Sequence, residues 1–222
     1  CGGNSDPTYS RVVVFGDSLS DVGTHATPAV KAQGGGKYTV NSATSKIWVE
    51  LLAERAGAPA PCAAQTGLES SGPLAALAAP ITNVPNCYGY AQGGARVTNP
   101  VGPYNKALLA ANIPDGYLGQ ITSPLVAQID RHLAVANNRF SGTELVTVLA
   151  GGNDVFMNLA TVSGTAAAGG DVAAAATAAV TEMGLAGTQL ATLIQNKIVA
   201  NGALRVVVVT LPDVSQTPFG AS

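Results

Sequence analysis

The chain has 222 residues, 47% of them hydrophobic and only 11% charged, with a formal charge of −2 at neutral pH. That length suits one large domain or two small ones, and the composition excludes an intrinsically disordered chain. So small a charge leaves no electrostatic footprint for nucleic acid, and no apolar run approaches the roughly 18–20 residues that a membrane helix requires.

In chain order, residues 1–10 begin CGGNSDP and read as a polar tether. RVVVF (11–15) is a continuous apolar run closed by Gly16, the pattern of a strand buried on both faces. After the Gly-Asp-Ser turn, residues 24–46 read as a polar loop. Gly34–Gly36 within it neither follow a strand nor open a helix, so they are a flexible loop rather than a phosphate cradle. TSKIWVELLAERA (44–56), stopped by Gly57, predicts a helix. Residues 58–86 are rich in Pro, Ala and Gly and read as irregular. CYGYAQGGARV (87–97) reads as a short strand running into a glycine turn, and 98–120 as a further loop. SPLVAQIDRHLAVANN (123–138) predicts a helix with Leu125, Val126, Ile129 and Leu133 on one side. ELVTVLAGGND (144–154) is a second buried strand ending in glycines. The Ala-rich stretch from Asp171 to about Asn201 predicts one long helix, and RVVVVTLPD (205–213) a third buried strand ended by Pro212. Strands separated by helices imply a mostly parallel sheet with helices on both faces, a three-layer α/β/α architecture. Residues 11–222 then form one domain.

The cysteines carry a second kind of information. Cys62 and Cys87 lie in loop sequence, with no histidine or further cysteine at metal-ligand spacing. They are read as a disulfide, which implies an oxidising compartment; the alternative is two unrelated buried thiols. Cys1, followed by small and polar residues, is similar to the mature end of a bacterial lipoprotein, where the cysteine carries the lipid. An arbitrary start with a free thiol is the other reading. Low charge with much Ala, Gly, Thr and Ser points the same way, to export from a bacterium: periplasmic, anchored in the outer membrane, or secreted.

The chemistry gathers at strand ends, where open parallel sheets place their functional groups. Ser18 sits where the first strand turns, with its own N–H at a turn or helix start whose donors are unpaired. A serine that attacks an ester needs a base and donors aimed at the developing oxyanion. The donors on offer are the Ser18 N–H, a glycine N–H from the 93–94 turn, and the Asn153 amide, each worth on the order of 3 kcal/mol of barrier. Taken singly, each block is more often a plain turn or loop, with Ser18 as a helix cap.

Together, FGDSLSD, YAQGGARV, GGND and LPDVSQTP resemble the blocks of the SGNH, or GDSL, esterase/lipase family, in the branch with plant-type and bacterial autotransporter or lipoprotein members. The likeness runs from residue 11 to 218. It implies the SGNH hydrolase fold with a flavodoxin-like sheet, an ester or lipid substrate, and no metal or organic cofactor. It also implies Ser18 as nucleophile, with Gly94 and Asn153 completing an oxyanion hole, and supporting roles for Asp17, Asp21, Arg96 and Asp154. Within the glycine pair, the assignment to Gly94 rather than Gly93 is open by one residue.

The family's last block, Asp-x-x-His, has no counterpart. The chain has two histidines: His25, in a polar loop, and His132, mid-helix in AQIDRHLAV, and both read as surface or helix-face residues rather than as the base. The sequence stops at TPFGAS. The expectation is therefore an N-terminal portion of a longer enzyme, incomplete at its C-terminal end, with a fragment of the same protein bound as a second chain and carrying the catalytic Asp and His; the other reading is a chain that truly ends here, with one side of its sheet uncovered. Tyr38, Tyr88, Tyr90, Tyr104 and Tyr117 are expected either to line an apolar acyl site or simply to pack the loops. Two other functions stand beside the esterase: acyl transfer to an alcohol, and a non-catalytic surface or binding protein that kept the scaffold.

Overall fold

The structure, a computed structural model, describes residues 8–42, 44–213 and 216. The expected tether lies outside these as far as residue 7, Cys1 included, and so does most of the stretch after Asp213.

The apolar run near the N-terminus forms β1 (Arg11–Gly16), buried from Val12 onward. Side chains alternate across a strand, and β1 divides its valines accordingly. Val13 and Phe15 face a core built with Leu125, Ile129, Leu133, Phe140, Val146 and Val148. Val12 and Val14 face a second core with Ile47, Val49, Ala53 and Ala91. Each fully buried side chain of this size contributes roughly 1.5–3 kcal/mol.

β1 pairs in parallel with β4 (Glu144–Leu149), which pairs in parallel with β5 (Val206–Val208). On the other edge of β1, the segment through Gly89 makes a parallel bridge to Val14. There the Val14 N–H donates to the Tyr88 carbonyl (2.9 Å) and the Tyr90 N–H to the Val14 carbonyl (2.7 Å). The spatial order is therefore 87–90 segment, β1, β4, β5, the start of the flavodoxin-like order. α2 (Trp48–Arg55) covers the Val12/Val14 face. α3 (Leu125–Val135) and the long C-terminal helix α5 (Val172–Leu193) cover the Val13/Phe15 face. The three-layer α/β/α reading holds.

Several local expectations are corrected. The polar loop 24–46 contains a short helix, α1 (Pro28–Ala32), started by Thr27, whose Oγ1 accepts the Val30 N–H. The irregular stretch 58–86 contains β2 (Gln65–Leu68) and β3 (Ala79–Asn83), an antiparallel pair. The 87–97 segment makes bridges rather than a full strand, because its glycines leave few residues to extend the ladder. GGND does not merely end a strand but opens α4 (Gly152–Ala167), a helix whose Gly, Thr and Ala content carries no strong period. The expected long helix stops as α-helix at Leu193 and continues as a π-turn, Ile194–Val199, which seats Ile198 in the core.

β5 is the clearest departure. The expected buried strand over 205–213 is three residues long, with Val207 38% and Val208 50% exposed. It is the outermost strand among the described residues, and an apolar run cannot by itself distinguish a central strand from an edge.

Cys62 and Cys87 form a disulfide. Beside it the Gly89 N–H donates to the Cys62 carbonyl (2.8 Å), so the bond ties the 62–64 segment to the strand-edge segment next to β1.

Candidate active site

β1 ends on Gly16, whose φ of +152° and closeness to β4 both require glycine: an added Cβ would sit 2.2 Å from the Leu149 carbonyl oxygen. Buried Gln128 of α3 seals this strand end. Its Oε1 accepts the Gly16 N–H (2.9 Å) and its Nε2 donates to the Gly16 carbonyl (2.8 Å). The next residue, Asp17, caps a single 3-10 turn, Ser18–Ser20, by accepting the Leu19 N–H at 3.1 Å. Ser18 therefore occupies the first position of a capped turn, half-buried. Its N–H and its hydroxyl have no hydrogen-bond partner among the described residues.

The glycine pair forms a β-turn closed by the Ala95 N–H donating to the Gln92 carbonyl (3.0 Å). Gly94, at the third position, has φ +77°, the left-handed value that a type II turn demands. The turn is tied to the serine loop twice: the Gln92 N–H donates to the Gly16 carbonyl (3.1 Å), and the Gly93 N–H to Asp21 Oδ2 (2.8 Å). It has no room to spread, since a Cβ on Gly93 would lie 1.9 Å from the Tyr38 ring and one on Gly94 would lie 2.7 Å from Thr122 Cγ2. The Gly93 N–H is thus occupied, whereas the Gly94 N–H has no acceptor among the described residues.

α4 brings the third block to the same place. Asn153 and Asp154 stand in its first turn, both buried. Asn153 Nδ2 donates to the Ala95 carbonyl (2.8 Å), and a primary amide has a second N–H to give. Asp154 accepts from Arg96 Nε and from the Val97 N–H, each at 2.9 Å. Of the supporting residues of the sequence reading, Arg96 and Asp154 thus fasten the 92–97 turn to α4, whereas Asp17 and Asp21 hold the serine turn and its link to Gly93.

Ser18 and Asn153 line one cleft of about 190 Å³, with Asp17, Leu19, Gly152, Phe156, Leu211 and Pro212. Gly94 is not among its lining residues and is joined to it through Ala95 and Asn153. The tyrosines expected around an acyl group are elsewhere. Tyr88 and Tyr90 surround His132, Tyr38 packs on Gly93 and donates to Gln120, and Tyr117 packs on Gly72. The apolar wall beside Ser18 is instead Leu19, Phe156, Leu211 and Pro212, residues whose apolarity alone could not single them out. A larger hollow, about 700 Å³, is lined by Gly34–Gly36 and the Cys62–Cys87 disulfide and includes none of the site residues.

Burial raises the Asp17 carboxyl to about 6, only partly opposed by the Leu19 N–H. Neither histidine lines the Ser18 cleft. His132 is buried and His25 is half-buried, its side chain 10% exposed, which corrects the surface reading of His25. Its Nε2 accepts the Ile121 N–H (3.2 Å), so the lone pair of that nitrogen is taken, and its Nδ1 lies 3.9 Å from Asp21 Oδ2. Burial holds its pKa below the ordinary value despite the Asp21 charge. His132 is enclosed by Phe15, Tyr88, Tyr90 and Phe140, and burial lowers it to about 4.

Among the described residues no three His, Cys, Asp or Glu side chains gather where they could hold a metal ion, and no helix is long and apolar enough to cross a membrane. No curated protein matches the chain. One protein family does, described as GDSL-like Lipase/Acylhydrolase, over residues 12–221.

Proposed function

The chain belongs to the GDSL-like Lipase/Acylhydrolase family, and on that premise we propose that it is a serine carboxylester hydrolase with Ser18 as its nucleophile. Membership supports ester hydrolysis in general. The observation that carries the finer reading is a contrast between neighbouring donors. The N–H groups of Leu19 and Gly93 are bonded within the fold, while those of Ser18 and Gly94 are left without acceptors. Unpaired backbone donors are rare where the chain is buried, and an oxyanion supplies the acceptor that these lack.

In this mechanism a histidine takes the Ser18 proton as Oγ attacks the ester carbonyl. The Ser18 N–H, the Gly94 N–H and the free N–H of Asn153 Nδ2 hold the oxyanion of the tetrahedral intermediate. The histidine returns the proton to the departing alcohol, and water, deprotonated by the same histidine, releases the acid from the acyl-enzyme. His25 and His132 are both committed elsewhere. We assign the base, with its orienting aspartate, to a segment of the protein outside this sequence, bound to the Ser18 side of the sheet. Lacking that base, turnover falls roughly a million-fold. The acyl group rests on Leu19, Phe156, Leu211 and Pro212. For location, the Cys62–Cys87 disulfide fits an oxidising compartment and supports export.

A fluorophosphonate probe tests this on the native protein. The expected result is one covalent adduct, mapped to Ser18 and absent from Ser18→Ala, together with hydrolysis of p-nitrophenyl esters. An intact-mass spectrum of the same sample should show a histidine-bearing partner polypeptide or a longer chain. Ester hydrolysis that survives Ser18→Ala overturns the assignment.

A further inference from the structure

Asp21 is almost completely buried, 1% exposed, yet nothing in the proposed chemistry uses it. Its carboxylate accepts three backbone N–H groups, with His25 Nδ1 3.9 Å from Oδ2. Oδ1 accepts the N–H groups of Gly23 (2.9 Å) and Thr24 (2.8 Å), and Oδ2 accepts that of Gly93 (2.8 Å). Its own N–H donates to the Ser18 carbonyl (3.4 Å). One residue thus grips the serine turn through its backbone and the glycine turn through its side chain.

We propose that Asp21 is the positioning residue of the oxyanion hole, deciding that Gly94 and not Gly93 offers its N–H to the substrate. This rests on the role proposed above for Ser18. The physical reason lies in the glycine pair. With glycine at both central positions, a β-turn can also adopt the mirror-image types at little cost. Types I and II differ by a flip of the central peptide, which carries the Gly94 N–H. Left to itself, the turn would point that N–H in more than one direction. Asp21 accepts a charge-assisted bond from the Gly93 N–H in a buried setting, which anchors the peptide leading into the turn and removes Gly93 as a competing donor. The Tyr38 ring against Gly93 and the Asn153 amide on Ala95 close the other sides. The donor that remains unbonded is the Gly94 N–H, on the same rigid unit as Ser18. Preorganisation of this kind removes the reorganisation that a mobile donor would undergo during reaction.

Asp21→Asn is the discriminating change. An asparagine keeps one acceptor oxygen for Gly23 and Thr24 but turns an NH2 group toward the Gly93 N–H, donor against donor. The expected result for the native enzyme is a kcat lower by about a hundredfold per fluorophosphonate-titrated site, with KM within about threefold of wild type. A merely structural role would reduce the fraction of titratable sites and leave kcat per site unchanged, and that outcome overturns the proposal. Amide exchange by NMR reads the same contact without turnover. In wild type the Gly93 amide should be protected and the Gly94 amide should exchange freely, then shift downfield once a phosphonate occupies Ser18. A Gly93 amide that exchanges as fast as that of Gly94, or that is the one to shift, also overturns it. Wild-type protein that shows Gly93 protection but no phosphonate adduct confirms the hold of Asp21 on the turn and places the failure in the esterase reading instead.

Discussion

Asn153 and Ala95 lie 58 residues apart in sequence and are joined by a 2.8 Å hydrogen bond from the Asn153 amide to the Ala95 carbonyl. The bond occupies one N–H of the amide and aims the group beside Ser18, while fixing the turn that carries Gly94. Orientation of the donor and placement of its neighbour are the same contact.

Asn153→Ala should therefore show two separable effects. Loss of an oxyanion donor lowers kcat by about 10²–10³-fold. Loss of the bond to Ala95 costs about 1 kcal/mol of stability. Steady-state kinetics and urea unfolding of the same preparation measure both. A kcat within a few-fold of wild type would remove Asn153 from the oxyanion hole.

On the proposed reading, Phe156, which lines the Ser18 cleft, limits the length of the acyl wall. Phe156→Ala opens the cleft lined by Leu19 and Leu211, and the optimum in a p-nitrophenyl ester series should move to longer acyl chains. Each methylene gained or lost in such a pocket is worth about 1–3 kcal/mol in kcat/KM. An unchanged chain-length profile would place the acyl group elsewhere.

Stability against pH should change in opposite senses in two variants. His132 titrates at about 4 in the fold against 6.5 when free, so it withdraws stability as pH falls from 6.5 toward 4. Asp17 is at about 6 against 3.8, so it contributes most below 3.8 and loses that contribution as pH rises through 6. Each amounts to about 3 kcal/mol at most, and over pH 4–6 the two oppose each other. His25, lowered by burial, adds to the loss in acid. Glu144 does so too: burial raises it, but hydrogen bonds from Ser141 bring it below its usual range. Asp17→Asn, which keeps the acceptor for Leu19, should steepen the acid loss, and His132→Phe should shrink it. Urea midpoints from pH 4 to 7 check both signs.

The Cys62–Cys87 bond spans 25 residues. The chain-entropy relation assigns such a loop about 3–4 kcal/mol. The double variant Cys62→Ala/Cys87→Ala should lose that much by urea unfolding, and reduction of the wild type should reproduce it. Catalysis should change little once folding is controlled, because neither cysteine lines the Ser18 cleft.

Much of this protein was legible without coordinates because the relevant signals are local. Val12–Phe15 must be buried, Gly16 must turn, and Ser18 must then sit at a strand end, whatever the rest of the chain does. The same holds for the strand that leads to Asn153, and the blocks in their order suffice to identify the family. Which elements become neighbours is not a local property, and there only the tertiary structure could decide. Gly93 and Gly94 are indistinguishable as letters, and it is the Asp21 carboxylate, 72 residues from Gly93, that takes one N–H and leaves the other. His25 looks like a surface residue of a loop until the Ile121 N–H is seen to occupy its Nε2. Val206–Val208 has the composition of a central strand and stands at the outer edge of the described sheet, because burial of an apolar run depends on what lies on both sides of it. Leu19, Phe156 and Leu211 come from three separate elements, and only the folding of β1, α4 and the segment after β5 toward one point makes them a wall.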